Sequence, residues 1–284
     1  MKSAGGVIHK GAIAALVIGT IAGGLVFTMS AQAGASTTPS TTASQVVRHP
    51  ELDWAGSQVA KHEPHPTGTG DVVPLATQTP GLDVSSFQGN VNWSSVWANG
   101  GRFAYVKATE GTYYTSPSFA QQYNGSFNVG IIRGAYHFAT PDTTSGATQA
   151  DYFVAHGGGW SKDGKTLPGM VDLEWDPYGA ACYGLSQAAM VNWILSFSNE
   201  YHARTTRWPT IYTATSWWSQ CTGNRGDFSS TNPLFVAFYS STPGPMPFNW
   251  GLQTIWQFAD SGVFPGDQDR FNGDITRVQA LANG

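Results

Sequence analysis

Two acids stand one residue apart in an otherwise apolar run, MVDLEW at residues 170–175. Side chains of an extended strand alternate between faces, so Asp172 and Glu174 point the same way, with Cα atoms roughly 6.6 Å apart, while Leu173 faces the other side. Charged residues make up only 11% of the chain, against roughly 25% in an ordinary soluble domain, so acids that interrupt apolar segments need a reason. Carboxyl groups crowded together beside an apolar wall raise one another's pKa; one can stay protonated near neutrality while its neighbour is ionised. Glycoside hydrolysis uses that division of labour. Asp83 lies near the end of another apolar run, GLDVS, and Asp267 and Asp269 follow TIWQFAD on a glycine-rich loop, so several strand ends offer acids to one mouth. The plain structural alternative for DLE is a solvated edge strand carrying chance acids.

Other chemistries have weaker support. Hard cations want six or more oxygen ligands, and there is no calcium loop of the D-x-[DN]-x-[DN]-G type and no H-E-x-x-H zinc pattern. No G-x-S-x-G elbow is present, and neither cysteine has a catalytic setting. The expectation is therefore carboxylate catalysis without metal or cofactor. The net charge of -4, with no basic cluster, argues against a nucleic-acid partner, because phosphate recognition needs dense Lys and Arg. Trp175, Trp217, Trp218 and Trp256 could offer flat faces to sugar rings, although core or rim packing accounts for most tryptophans.

The elements that must position these acids are short β-branched or aromatic runs: GLDVS, FAYVKAT, GIIRGAYHFAT, MVDLEW, PTIYTAT, LFVAFYS and TIWQFAD. Helical patterns lie between the early ones. One starts at Ser116-Pro117, carries Phe119, Tyr123 and Phe127 at four-residue spacing, and stops at Gly130; another starts at Ser186 and carries Met190, Ile194, Phe197 and Tyr201 along one face. Strand followed by helix, repeated, implies parallel strands. After PTIYTAT the helical pattern fades, which predicts an α/β barrel whose last part lacks helices. A doubly wound open sheet is the structural alternative, without a glycine-rich phosphate loop to support it. In a parallel barrel, reactive groups gather at the C-terminal ends of the strands.

Residues 1–33 have the order of a secretory signal: Lys2 and Lys10, an apolar run from Gly11 to Phe27, then Ala31-Gln32-Ala33, with cleavage expected after Ala33. A retained membrane anchor is the alternative, and the run is short for one. Loss of Lys2 and Lys10 leaves 12 basic against 18 acidic residues, near -6. In an oxidising compartment Cys182 and Cys221 can form one bridge. Residues 34–80, rich in Ser, Thr, Pro and Gln, read as a flexible leader, although HPELDWAGS around Trp54 could dock onto something. The folded unit is then 81–284, expected to be monomeric, secreted, and free of stable membrane association once the signal is removed.

GLDVSSFQGNVNW, FAYVKATEGTYYTSPSFAQQY, GIIRGAYHFA, MVDLEW, PTIYT, IWQFA and GDQDRFNG, taken in order, resemble the glycoside hydrolase family 25 lysozymes, the Chalaropsis-type muramidases. The resemblance spans nearly the whole folded unit. It implies an irregular TIM-like barrel of eight strands with helices mainly among the first five, and hydrolysis of the β-1,4 bond between N-acetylmuramic acid and N-acetylglucosamine in peptidoglycan. By motif, the family's catalytic acids fall on Asp83, on the pair Asp172 and Glu174, and on Asp267; there Asp269 and Gly266 replace the usual Asn and Val, so Asp269 competes for the last role. Glu174 is expected to be the general acid, with Asp172 steering either water or the substrate's 2-acetamido group. Tyr136 and Phe138 share a strand face and are candidates to line the sugar groove, as are Trp256 and Gln257. His137 points the other way and reads as a core histidine; Lys107 and Glu110 read as a supporting pair or as surface charges. A non-catalytic peptidoglycan-binding module on the same scaffold is the rival class, and a chitinase-like hydrolase a second, though the D-x-x-D-x-D-x-E run of chitinases is absent.

Overall fold

The first strand, β1 (Thr79–Val84), alternates Leu82 and Val84 on one face with Gly81 and Asp83 on the other, and it sits between two neighbours. A computed structural model of the chain describes residues 46–63 and 77–284, and Val46–Gly284 form one compact unit. β1 pairs in parallel with β2 (Phe103–Glu110), to whose end the short β3 (Tyr114–Thr115) adds an antiparallel ribbon. The parallel order continues through β4 (Ile132–Phe138), β5 (Met170–Leu173), β6 (Thr210–Thr213), β7 (Leu234–Ala237) and β8 (Ile255–Ala259). The last strand, β9 (Asp267–Phe271), runs antiparallel between β8 and β1 and closes the ring. Eight strands thus form a closed mixed barrel, and closure at both edges of β1 replaces the open doubly wound alternative.

A four-residue helix, α1 (Val59–His62), precedes β1. Then α2 (Trp93–Ala98), α3 (Phe119–Asn128), α4 (Gly146–Phe153), α5 (Gln187–Thr205) and α6 (Thr215–Thr222) each follow one of the first five barrel strands. Among the described residues no helix follows β7 or β8, and α7 (Ile275–Asn283) comes after β9. The two helices expected from periodicity are α3 and α5. Ser186 caps α5 by accepting from the Ala189 N–H, and past α3 the chain turns at Gly130 with φ +94°. The Thr215–Thr222 helix departs from the expected fading after PTIYTAT. No helix among the described residues is long and apolar enough to cross a membrane.

Outward-facing residues of the strands pack under the helices. His137 is fully buried there, its ring nitrogens contacting Thr109 Oγ1 (2.8 Å) and Gln149 Oε1 (2.9 Å), with its ring beside Phe153 and Phe197. Burial lowers its pKa to about 4, so it is neutral and structural. Inside the barrel, Tyr105 donates to the Pro168 carbonyl (3.0 Å), and its ring passes so close to Gly134 that a Cβ there would lie 2.4 Å away. Cys182, in the loop after β5, is bridged to Cys221 in α6 with Cα atoms 5.3 Å apart. Replacing both cysteines by alanine should lower stability by about 2–4 kcal/mol, seen as a lower denaturation midpoint; an unchanged midpoint would deny the bridge a stabilising role.

Residues 46–63 differ from the flexible leader that composition predicts over 34–80. Ala55 and Val59 are completely buried within the barrel's own core cluster, and Asp53, Ser57 and Gln58 are buried beside them. The average composition of a long polar tract hides a short stretch whose two small apolar side chains fit a ready-made concavity. Strand β1 also begins at Thr79, two residues before the expected boundary. Residues 34–45 and 64–76, and the signal expected at 1–33, lie outside the described residues.

Candidate active site

Strand alternation brings four acids to the C-terminal mouth of the barrel. Asp172 sits on β5 opposite Phe138 of β4 and Tyr212 of β6, and Glu174 follows just past the end of the strand. Asp83 on β1 is the direct register partner of Asp267 on β9. Gln257 of β8 ties that pair together: its Nε2 donates to Asp83 Oδ2 (2.8 Å) and Asp267 Oδ2 (2.9 Å). The amide is held in that sense because Tyr212 and Tyr239 both donate hydroxyl protons to its Oε1, at 2.7 and 3.0 Å. Tyr136, on the inward face of β4, feels the charges of Asp83, Asp172 and Asp267, so its hydroxyl lies among them.

Burial governs the electrostatics. Asp83, Asp172, Glu174 and Asp267 are at most 2% exposed. Desolvation first, and then the Glu174 charge, push the Asp172 carboxyl well above the usual range, and neither of its oxygens has a protein hydrogen-bond partner. Glu174 is raised to about 8, chiefly by burial, against the pull of two backbone N–H donors. Burial lifts Asp83 to about 7, although the Gln257 donor opposes it. Asp267 is driven well up by desolvation and by the neighbouring Asp83 and Asp269. Such crowded acids titrate as a group, and ionising one strengthens its neighbours' hold on their protons.

The competition between Asp267 and Asp269 has a geometric answer. Asp269 lies on the same face of β9 but opposite Gly81, two residues further from the mouth, and accepts no hydrogen bond. Asp267 is the one that reaches Gln257 and Asp83. Phe138 is fully buried beside the mouth, with the Lys107 ammonium 4.9 Å from its ring centre. Trp256 is not brought to the cluster: alternation on β8 turns it away from Gln257, its Nε1 donating to the Phe238 carbonyl (2.7 Å) while its ring packs on Phe258. Trp217 and Trp218 are core residues, completely buried.

Lys107 and Glu110 are not surface charges. Both side chains are fully buried and paired at 2.7 Å, and Glu110 also accepts from the Tyr113 hydroxyl (2.6 Å). Lys107 is two residues along β2 from inward-facing Tyr105, which is the signal that could have placed it in the mouth. Tyr212 and Tyr239 also escape the motif reading, although Tyr212 shares an alternating face with Thr210. Among the described residues, no group of three or more His, Cys, Asp or Glu side chains is arranged to hold a metal ion.

A closed barrel with desolvated carboxyl groups gathered at one mouth is the arrangement that a carboxylate glycosidase uses. The profile of glycosyl hydrolases family 25 matches residues 82–267. An N,O-diacetylmuramidase of a Chalaropsis species is 53% identical over 208 residues, which span 72% of this chain and 99% of that protein. Lysozyme M1 of Streptomyces globisporus is 48% identical over 72% of this chain and 71% of its own. A solved muramidase from Acremonium alcalophilum is 55% identical with a TM-score of 0.71, covering 72% of this chain and 99% of that one. The chain therefore belongs to glycoside hydrolase family 25, and it is a glycoside hydrolase.

Proposed function

We propose that the chain is a secreted N-acetylmuramidase that cuts the β-1,4 bond between N-acetylmuramic acid and N-acetylglucosamine of peptidoglycan, with Asp83, Asp172, Glu174 and Asp267 as its catalytic acids. The observation that supports this most is the convergence of four buried carboxyl groups on one mouth, with a glutamine held rigidly between two of them. Glu174, whose carboxyl pKa is pushed upward here by burial, is the acid that delivers a proton to the leaving glycosidic oxygen. An acetamido N–H approaching the unpartnered Asp172 favours the ionised form of that carboxyl. Asp172 then steers the acetamido oxygen to the anomeric carbon from the face opposite the leaving group. Water opens the resulting cyclic intermediate with Glu174 as base, which retains the β configuration. Asp83 and Asp267, fixed by Gln257, set the potential and orient the pair, while Tyr136 and Phe138 line the groove.

The bond is tested by exhaustive digestion of purified peptidoglycan, borohydride reduction and mass spectrometry. Fragments ending in reduced N-acetylmuramic acid are expected; fragments ending in reduced N-acetylglucosamine would contradict the reading.

A further inference from the structure

The mouth just described is filled by the chain's own residues. Glu174, Gln257, Tyr136, Tyr239 and Lys107 all have partners in the stretch Pro50–Gln58. Glu174 accepts from the backbone N–H of Gly56 (3.2 Å) and of Gln58 (2.9 Å). Gln257 Nε2 donates to the Ala55 carbonyl (2.8 Å), the Tyr136 hydroxyl accepts from the Ala55 N–H (3.3 Å), and the Tyr239 hydroxyl lies 3.5 Å from the Gly56 carbonyl. Lys107 donates to the carbonyls of Pro50 (2.9 Å) and Asp53. At the rim, Trp54 stacks on Phe87 at 4.5 Å and His62 on Trp175 at 4.6 Å, while Tyr178 donates to Asp53 (2.7 Å) and Arg48 pairs with Asp142 (2.5 Å).

We propose that residues 50–59 are a built-in inhibitor which occupies the sugar-binding mouth, so that hydrolysis requires the segment to be displaced. The inference rests on the muramidase reading. The amide joining Ala55 to Gly56 is held at both ends, its carbonyl by Gln257 and its N–H by Glu174, so the segment takes up hydrogen-bonding groups of the mouth itself. Gly56 is what allows the approach. Its φ is +100°, and a Cβ there would lie 2.4 Å from the Tyr239 hydroxyl and 2.7 Å from Gln257 Oε1. Bound this way, the segment excludes substrate and also points two N–H donors at Glu174, which favours the ionised form of a group that must hold a proton to act as an acid. The Acremonium muramidase is covered over 99% of its length by 72% of this chain, so that catalytic unit manages without the additional residues found here. A segment tethered upstream of β1 acts at an effective concentration on the order of millimolar; once cut free at nanomolar protein it is diluted away.

The test uses the full chain with six residues between positions 65 and 75 replaced by the recognition sequence of a site-specific protease, assayed before and after cutting. Full-length Gly56→Val, which jams the segment without altering the barrel, is assayed beside it. On soluble N-acetylglucosamine–N-acetylmuramic acid oligomers at nanomolar enzyme, the cut chain and Gly56→Val should both turn over at least about 10-fold faster than the uncut chain. Hydrogen exchange at the amides of Ala55, Gly56 and Gln58 should be slow in the uncut chain and fast in Gly56→Val. Equal rates before and after cutting, or fast exchange in the uncut chain, would overturn the proposal. Slow exchange together with a cut chain that hydrolyses nothing would instead overturn the muramidase reading, and the inhibitory role with it.

Discussion

Glu174→Gln, in the chain freed of its 50–59 segment, should lower turnover of soluble glycan oligomers by about 100-fold to 10,000-fold, the range that a general acid contributes. Glutamine keeps the volume and polarity of the side chain but cannot donate a proton to the leaving oxygen. The melting temperature should not fall at neutral pH, because glutamine fills the same space and removes a buried acid whose raised pKa costs stability as pH rises. Separate measurement of KM and kcat sharpens the result: the loss should fall on kcat, since ground-state contacts to the sugar survive. Near-normal clearing of bacterial walls by this variant would end the assignment of Glu174 as the acid.

Asp172→Asn should have an opposite pair of effects, abolishing most activity while stabilising the fold at neutral and alkaline pH. In the folded protein Asp172 is fully buried with no donor to either oxygen, and its pKa stands well above the usual range through desolvation and the Glu174 charge. Unfolded, it titrates near its ordinary value of about 3.9. Below that pH both states are protonated and the group contributes nothing. As pH rises between the two values, unfolding releases a proton, so wild-type stability falls; the asparagine variant is spared this loss. The gain in melting temperature over wild type should therefore be small at pH 4 and grow steadily to pH 8, by roughly 2–4 °C for each kcal/mol recovered in a domain of this size. A difference independent of pH would show that Asp172 is not a buried acid with a raised pKa. Such a variant illustrates the usual exchange at catalytic centres, where groups that destabilise the fold are retained for chemistry.

Much of this organisation is legible in the sequence because it is periodic. Two-residue alternation places Asp172 with Glu174, and Tyr136 with Phe138, and turns His137 outward, without any knowledge of neighbours. Alternation also separates Trp256 from Gln257, which the motif reading had grouped as adjacent candidates at one strand end. The helices that periodicity misses are those made by tertiary contact. α6 carries TSWWSQCT, in which exposed Ser216, Ser219 and Gln220 face away from buried Trp217, Trp218, Cys221 and Thr222, a helical period that only two turns of mostly poor helix formers leave easy to overlook. In α4, Gly146 lies so close to α5 that a Cβ would come within 2.2 Å of the Trp193 carbonyl, a fit decided by the partner helix. Lys107 and Glu110 look like surface charges by residue type, yet they are a buried pair because the mouth supplies carbonyl and aromatic partners. The choice between Asp267 and Asp269 depends on strand register, which local sequence does not encode. The docking of residues 46–63 was hinted at only by Trp54 in a polar tract, since what holds the segment there is mostly its backbone.

The central claim is that Asp172 and Glu174, on one strand end, divide the work so that the substrate's own acetamido group attacks and water follows. Proton NMR of the first product formed by the cut chain, recorded before mutarotation equilibrates the sugar, tests this most directly. Initial appearance of the β anomer of the new reducing end is expected; initial appearance of the α anomer would contradict it.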